Sequence, residues 1–455
     1  MKNFELEEYF LEPLERRRDL PEQRFLGTEY ENFILVSRPH ETLKYQPLPM
    51  NGKPGVYHLL ETIHEIDQQR GVQWEKKYEN DKLIGLLNQQ KQSITVEPGG
   101  QIEFAGAPLA SLEAVQKELL AYYRTLSQAV EIFNGKILSF GVVPLYPLEM
   151  IPLVDKLRYH VMFPYMKTVG NWGQWMMKAS AATQVSIDFF SKEDLERKFV
   201  FLNRISPFLT AVFANSPLLN GSKSEYLSFR GRIWQDTDPD RSGLPESFLQ
   251  ENFKLNDYIQ WALKASPYFL NRDGKDIFLA ETSFEKLIAG EKPEIEVSAA
   301  DWKEHLGMLF PDVRIKQIME VRAVDGLMPR DSIAVPTLIK ALIYNKDAFE
   351  KVYSILMDLP SKNFSIYRAA AAKEGLHAEV NGLSFAKFAR QFFEIALSAL
   401  GSAEENWLLP FFEKYTKDGF SPADLVLKKF EAADQDIVKW VETYFAESSL
   451  DFLES

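Results

Sequence analysis

The sequence predicts an α+β fold: a mainly antiparallel sheet with helices packed on one face and a polar ligand cleft on the other. Three observations lead there. Several short stretches alternate apolar and polar residues with a period of two, as a strand with one buried face must. Others repeat apolar residues at steps of three and four, as amphipathic helices do. The two kinds of stretch do not alternate with βαβ regularity, which argues against a doubly wound parallel sheet.

The strands carry most of the information. Over residues 93–105, Ile94 and Val96 alternate with Thr95 and Glu97, Pro98-Gly99-Gly100 supplies a turn, and Ile102 and Phe104 alternate with Gln101 and Glu103. If the four apolar residues share the buried face, Glu97 and Glu103 share the other. Residues 183–189 set Val185, Ile187 and Phe189 against Gln184, Ser186 and Asp188. Ser228, Arg230, Arg232 and Trp234 read as one parity of a further strand, and Glu320 and Arg322 share a face opposite Met319, Val321 and Ala323. Glu29 and Glu31, two apart, also share a face. A sheet of this kind lets one side pack on helices while the other lines a cleft.

Helical periodicity is clearest at Leu112, Val115, Leu119, Tyr123, Leu126, Val130 and Phe133, behind Ser111 as N-cap. Ser191 opens a second helix through Leu195, Phe199 and Leu202, which Pro207 is expected to end or kink. Ser384 precedes a helical pattern over 385–400, and Ser421-Pro422 starts one through Leu425, Phe430, Ile437, Val438 and Val441. The expected organisation is a single catalytic domain over 1–455, with a sheet-bearing core at about 20–335 and a helical C-terminal extension at about 336–455 that carries no evident chemistry.

Composition narrows the function. Lys and Arg number 52 against 65 Asp and Glu, a net charge of −13, which repels nucleic-acid backbones and anionic membranes. The absence of cysteine removes disulfides, zinc thiolates and thiol nucleophiles. No uninterrupted apolar core lies within residues 1–20, and the apolar stretch at 201–219 is broken by Asn203, Arg204 and Asn215. A cytoplasmic protein with no nucleic-acid or membrane partner is expected. The histidines lack ligand spacing, and no P-loop or Gly-x-Gly-x-x-Gly occurs. Asp236-x-Asp238-x-Asp240 starts like a calcium loop, but Arg241 stands where that loop needs glycine. It is read instead as part of a polar active-site loop, and Arg16-Arg17-Arg18 as a solvated charge run.

Five glutamates stand out: Glu29, Glu31, Glu97, Glu103 and Glu320. Gathered in one cleft they would repel one another and raise their own proton affinities unless cations neutralised them. Oxygen-only ligands suit Mg²⁺, or Mn²⁺, bridging carboxylates to nucleotide phosphates. The stretches that carry them are Gly27-Thr28-Glu29-Tyr30-Glu31, Glu97-Pro98-Gly99-Gly100-Gln101-Ile102-Glu103 with Gly106-Ala107-Pro108, and Met319-Glu320-Val321-Arg322-Ala323-Val324-Asp325-Gly326. With Phe213-Ala214-Asn215-Ser216-Pro217 and Leu227-Ser228-Phe229-Arg230 running to Trp234 and Arg241, these ordered blocks resemble the signatures of glutamate–cysteine ligases of plants and many proteobacteria.

The resemblance implies a glutamine-synthetase-like curved catalytic sheet and an ATP- and Mg²⁺-dependent ligase. ATP would phosphorylate the γ-carboxylate of L-glutamate, and the amine of L-cysteine would displace phosphate, the first step of glutathione biosynthesis. It also implies Glu29, Glu31, Glu97, Glu103 and Glu320 as metal ligands. Arg158, Arg230, Trp234 and Tyr268 would surround glutamate, and Arg241, Arg322 and Arg330 would meet ATP phosphates; Arg230 and Arg322 are the expected catalytic pair. Two stretches depart from the family pattern. Phe163-Pro164-Tyr165-Met166 stands where Arg-Asn-Tyr-Met is usual, and Lys178-Ala179-Ser180 where Leu-Arg-Thr is usual. Two guanidinia are thereby missing, with Lys178 the nearest replacement. The competing expectations are a ligase using another amine and a non-catalytic relative that binds ATP or glutamate.

Overall fold

The period-two stretches come together as one ten-stranded sheet in the computed structural model, which describes residues 3–16, 24–38, 44–272, 275–279 and 281–447. Of the basic run, Arg17 and Arg18 lie outside the described residues. Numbered along the chain, the strands of this sheet are β1 (Leu26–Ser37), β2 (Tyr45–Pro47), β3 (Glu75–Glu79), β4 (Lys82–Leu87), β5 (Ser93–Val96), β6 (Ile102–Ala105), β7 (Gly135–Leu138), β8 (Thr183–Ile187), β9 (Val313–Ile315) and β10 (Met319–Val321). Their order is β9-β10-β8-β1-β6-β5-β4-β3, and every pairing along it is antiparallel. The second half of β1 pairs with β2 and β7.

The pleat sorts the side chains as the alternation predicts. Tyr30, Ile94, Val96, Ile102, Phe104, Val185, Ile187, Met319 and Val321 all enter one large apolar core with the helices Leu112–Glu131 and Lys192–Val212. At 25 cal/mol per Å² or so, this burial is the main term holding sheet to helices. Glu29, Glu31, Glu103 and Glu320 belong to the other parity. The turn between β5 and β6 has Gly100 at φ +85°, where a glycine is favoured, and a Cβ on Gly99 would lie 2.0 Å from the Lys178 carbonyl oxygen.

Helix starts follow the capping residues. Ser111 Oγ accepts the Ala114 N–H, and Ser191 Oγ accepts the Asp194 N–H. The helix Lys192–Val212 continues through Pro207 rather than ending there. The carbonyl that Pro207 leaves without its usual amide partner belongs to Asn203, and the Ser206 hydroxyl donates to it at 3.0 Å. The pattern from 421 onward divides into two helices, Pro422–Ala432 and Ile437–Glu447, where one was expected. Asp434 and Gln435 between them have φ of 57° and 59°, which no continuous right-handed helix accepts.

The stretch read as a strand around Arg230 is a short helix, Phe229–Trp234. Ser228 caps it, its Oγ accepting the Gly231 N–H at 2.9 Å. In a helix, residues four apart stack on one face, so Arg230 and Trp234 stay together while Arg232 turns to Asp236. The helices after residue 335 pack back on the earlier part: Phe364–Glu374 lies against Lys192–Val212 and against the Arg230 helix. Among the described residues no helix is long and apolar enough to cross a membrane.

Candidate active site

Glu31 and Glu103 are direct partners across β1 and β6, and Glu29 faces Gln184 across β1 and β8. On the far side of β8, Glu320 of β10 pairs with Ser186. Glu97 follows β5 and is near enough to raise the proton affinity of both Glu31 and Glu103. All five glutamates therefore belong to one patch on the polar face. Burial, then Glu320, pushes Glu29 up to about 7; burial, then Glu97, does the same for Glu31. Burial followed by Glu97, Glu29 and Glu31 carries Glu103 well above the usual carboxylate range. Like charges set opposite each other on neighbouring strands are destabilising, so this patch calls for cations.

Glu320 differs. Burial pushes its proton affinity up, but Arg314, Lys316 and Arg322 outweigh that and hold it well below the ordinary value. Arg314 Nε lies 2.5 Å and Arg322 Nη1 3.3 Å from Oε2, with Lys316 Nζ 3.9 Å from Oε1. Arg322 also donates to Gln184 Oε1 at 2.7 Å, and Gln184 in turn donates to Glu31 Oε1 at 2.8 Å. A chain of contacts thus links Glu320, Arg322, Gln184 and Glu31 across three strands. Among the described residues no three acids or histidines converge closely enough to form a ready-made metal cage.

Beside the acids lies a hollow lined by Thr210, Arg230, Trp234, Asp312, Arg322 and Arg368. Both guanidinia of Arg230 and Arg322 lie within 6 Å of the Trp234 ring, at 5.8 and 5.9 Å. Arg230 Nη2 donates to the Arg322 carbonyl at 3.0 Å, whereas Arg230 Nε and Trp234 Nε1 are buried without a partner. A buried donor left unmade costs about 1–3 kcal/mol. The hollow's one carboxylate, Asp312, is already engaged by Arg368 at 2.7 Å, with the Ser206 oxygen 3.1 Å away as an alternative partner to the Asn203 carbonyl. What is left is a cationic recess with two donors awaiting an acceptor.

Several expected site residues fall elsewhere. Tyr268 is fully buried, its ring 4.1 Å from the Arg241 guanidinium, and does not line the hollow. Arg241 is equally buried, its two terminal nitrogens committed to Asp238 at 2.6 Å, to Tyr165 and to the Ser266 carbonyl, and it does not line the hollow. The Asp-rich segment is thus held by an internal ion pair, and of it Trp234 and Gln235 alone border the hollow. Arg330 lines a separate recess with Asp331, Lys414 and Lys429. Arg158 lies at the Glu97 end of the patch, donating to the Tyr159 hydroxyl at 2.9 Å, apart from Arg230.

Lys178 does not replace a missing guanidinium. Its Nζ is buried and donates to the Leu148 carbonyl at 2.9 Å, and Ala179 packs into the apolar cluster with Phe140, Val142 and Phe229. The third guanidinium of the hollow comes instead from Arg368, in the C-terminal part where no chemistry was anticipated. No local pattern marks it; a lone arginine on a helix face reads as solvated until the fold brings it back.

A second, larger hollow opens at the Glu29 end, lined by Gly27, Thr28, Glu29, Gly106, Pro108, Ser186, Gln317 and Ile318. Gathered carboxylates flanked by a guanidinium recess and a partly apolar hollow define an enzyme that handles anionic substrates. Comparison with known proteins says which kind. Residues 25–443 match the model of glutamate-cysteine ligase family 2 (GCS2). The chain is 32% identical over 411 residues to the chloroplastic glutamate–cysteine ligase of Brassica juncea, covering 89% of this chain and 77% of that one. The chloroplastic enzyme of Arabidopsis thaliana is 31% identical over 410 residues, with 89% and 76% covered. In structure the chain is similar to the glutamate–cysteine ligase of Francisella tularensis in complex with AMP, with a TM-score of 0.53, 14% identity, and 95% and 89% of the two chains covered. The chain belongs to glutamate–cysteine ligase family 2 and is an enzyme of that kind.

Proposed function

We propose that the polar face of this sheet joins the γ-carboxylate of L-glutamate to the amine of L-cysteine at the expense of ATP, the first step of glutathione biosynthesis. The observation that carries the assignment of residues is the pair of unpartnered donors, Arg230 Nε and Trp234 Nε1, in a cationic recess that abuts the acids. A glutamate carboxylate supplies the acceptors this recess lacks, and a guanidinium edge suits it bidentately. The nucleotide lies in the hollow at Glu29, whose Ile318 and Pro108 offer apolar surface to a base. Its phosphates then point along the acids toward Arg322. A cytoplasmic setting, where ATP and free magnesium are at hand, suits this reading.

The chemistry of the donors fits a divalent cation, since carboxylates forced together with raised proton affinities are relieved by one. Glu29, Glu31, Glu97, Glu103 and Glu320 are the residues that would hold it. Magnesium supplies neutralisation of the charge that develops on the transferred phosphoryl group. It is commonly held by one or two carboxylates plus substrate phosphates, so a three-acid cage is not required. Arg322, fixed by Glu320 and Gln184, stands to neutralise the same charge. The γ-carboxylate oxygen attacks the terminal phosphorus, ADP leaves, and the amine then displaces phosphate from the γ-glutamyl phosphate.

ADP release measured with glutamate plus cysteine, against glutamate plus other amines, tests this directly. Cysteine is expected to give the highest kcat/KM. Stimulation by a different amine alone would make the chain a ligase of another acceptor, and no ADP release with any amine would make it a binding protein.

Metal linkage gives a further expectation. Glu29 and Glu31 have folded-state pKa values of about 7, raised from 4.5. A raised carboxylate favours the folded state at low pH, and that contribution is lost as pH climbs through about 7. Without metal the melting midpoint should therefore fall between about pH 6 and about pH 8, and added Mg²⁺ should raise it more at the higher pH. An equal gain at both would take these acids out of the metal site.

A further inference from the structure

Asp325 lies in the segment after β10, bridged to Ala182 and 1% exposed, and its carboxylate gathers three donors. Oδ2 accepts the Asn215 N–H at 2.8 Å and the Ser216 hydroxyl at 2.7 Å, and Oδ1 accepts the Ser228 hydroxyl at 2.8 Å. A hydroxyl has one proton to give. Having given it to Asp325, each serine turns its lone pairs the other way, toward the first turn of the helix Phe229–Trp234. Ser216 Oγ accepts the Arg230 N–H at 3.1 Å, and Ser228 Oγ accepts the Gly231 N–H at 2.9 Å. One carboxylate thus orients both serine hydroxyls that hold the first turn, beside the backbone bonds from Phe229 N–H to the Ser216 carbonyl at 3.1 Å and from Ser228 N–H to the Ala372 carbonyl at 2.9 Å.

Its surroundings pack closely against it. A Cβ on Gly141 would come within 2.6 Å of the Asp325 carboxyl carbon, and Asn215 Nδ2 donates to the Gly326 carbonyl at 2.8 Å. The helix it seats is only six residues long, too short to be stable by its own hydrogen bonds. Arg230 and Trp234 are therefore aimed by what grips the helix start rather than by the helix itself.

We propose that Asp325 is a positioning residue: through Ser216 and Ser228 it fixes the helix start so that Arg230 Nε and Trp234 Nε1 face the glutamate carboxylate. The inference rests on Arg230 as the glutamate binder. An asparagine at 325 keeps the size but must present N–H donors on one side. Either Ser228, or Ser216 with the Asn215 amide, then meets a donor where it had an acceptor. That hydroxyl loses the acceptor for its own proton and must turn to find another, which loosens its hold on the Arg230 or Gly231 amide.

The test compares Asp325→Asn with wild type, Arg230→Ala and Asp301→Asn, reading KM for glutamate, KM for ATP, kcat and the urea midpoint of each. Asp301 is a buried carboxylate that caps Ser298 and pairs with Arg272, away from the hollow, so its variant controls for lost stability. Asp325→Asn should raise the KM for glutamate by about tenfold or more, with KM for ATP held within about twofold. Asp301→Asn should lose midpoint without moving either. Should Asp325→Asn not fold, Ser216→Ala removes one relay, keeps the carboxylate and should shift the same KM. An unchanged glutamate KM in Asp325→Asn beside a raised one in Arg230→Ala overturns the inference, as does a parallel rise for ATP. If Arg230→Ala also leaves it unchanged, the error lies in Arg230 as binder, and the role of Asp325 falls with it.

Discussion

Glu103→Gln is expected to lower kcat by at least about 100-fold, because even residues that merely support a metal's ligands cost 10–100-fold when changed. The substitution is nearly isosteric, and Glu103 has its closest hydrogen-bond partner in the Thr95 hydroxyl at 3.1 Å, a bond the amide carbonyl can still accept. Folding should be preserved or improved, since the change removes a carboxylate that Glu97, Glu29 and Glu31 all crowd. Turnover and stability should therefore move in opposite directions. The measurement is steady-state ADP release at saturating Mg²⁺ alongside a urea unfolding curve. A kcat equal to wild type would remove Glu103 from the metal set.

Arg230→Ala is expected to raise the KM for glutamate by about 30- to 150-fold, the factor that corresponds to losing charge-assisted hydrogen bonds worth about 2–3 kcal/mol. Its effect on the KM for ATP should be small, because the hollow that suits the nucleotide lies at Glu29, beyond the acids. Arg230→Lys should recover only part of the loss: an ammonium carries the charge but not the planar edge. An effect confined to ATP would move Arg230 from the amino-acid side to the phosphate side.

Much of the sheet was legible because the pleat has a period of two and nothing blurs it. Glu97 and Glu103 were placed on the polar side from parity alone, and the register pairs Ile94 with Phe104 and Thr95 with Glu103. The stretch at 228–234 misled for a physical reason. Over so few residues, Arg230 and Trp234 share a face in a strand and in a helix alike, so spacing does not discriminate. The discriminating signal was Ser228 three residues before Gly231, a cap without a long helix behind it. Long-range partners had no local mark at all: Arg368 meets Asp312 across 56 residues, and Asp325 meets Asn215 across 110. The burial of Tyr268 and Arg241 behind Asp238 was likewise invisible, since a motif names residues without saying which way they turn.

The strand β1 serves two partnerships along its length. Its first half lies between β6 and β8 and bears Glu29 and Glu31, while its second half is zipped to β2 and β7, where Phe33 and Leu35 enter a separate apolar cluster. Sliding by a single residue would exchange the two faces, submerging both acids and ejecting Tyr30. The distal half thus works as an anchor holding the alignment of the acid-bearing stretch. Weakening it at Leu35 should blunt turnover from a distance, before the protein as a whole gives way.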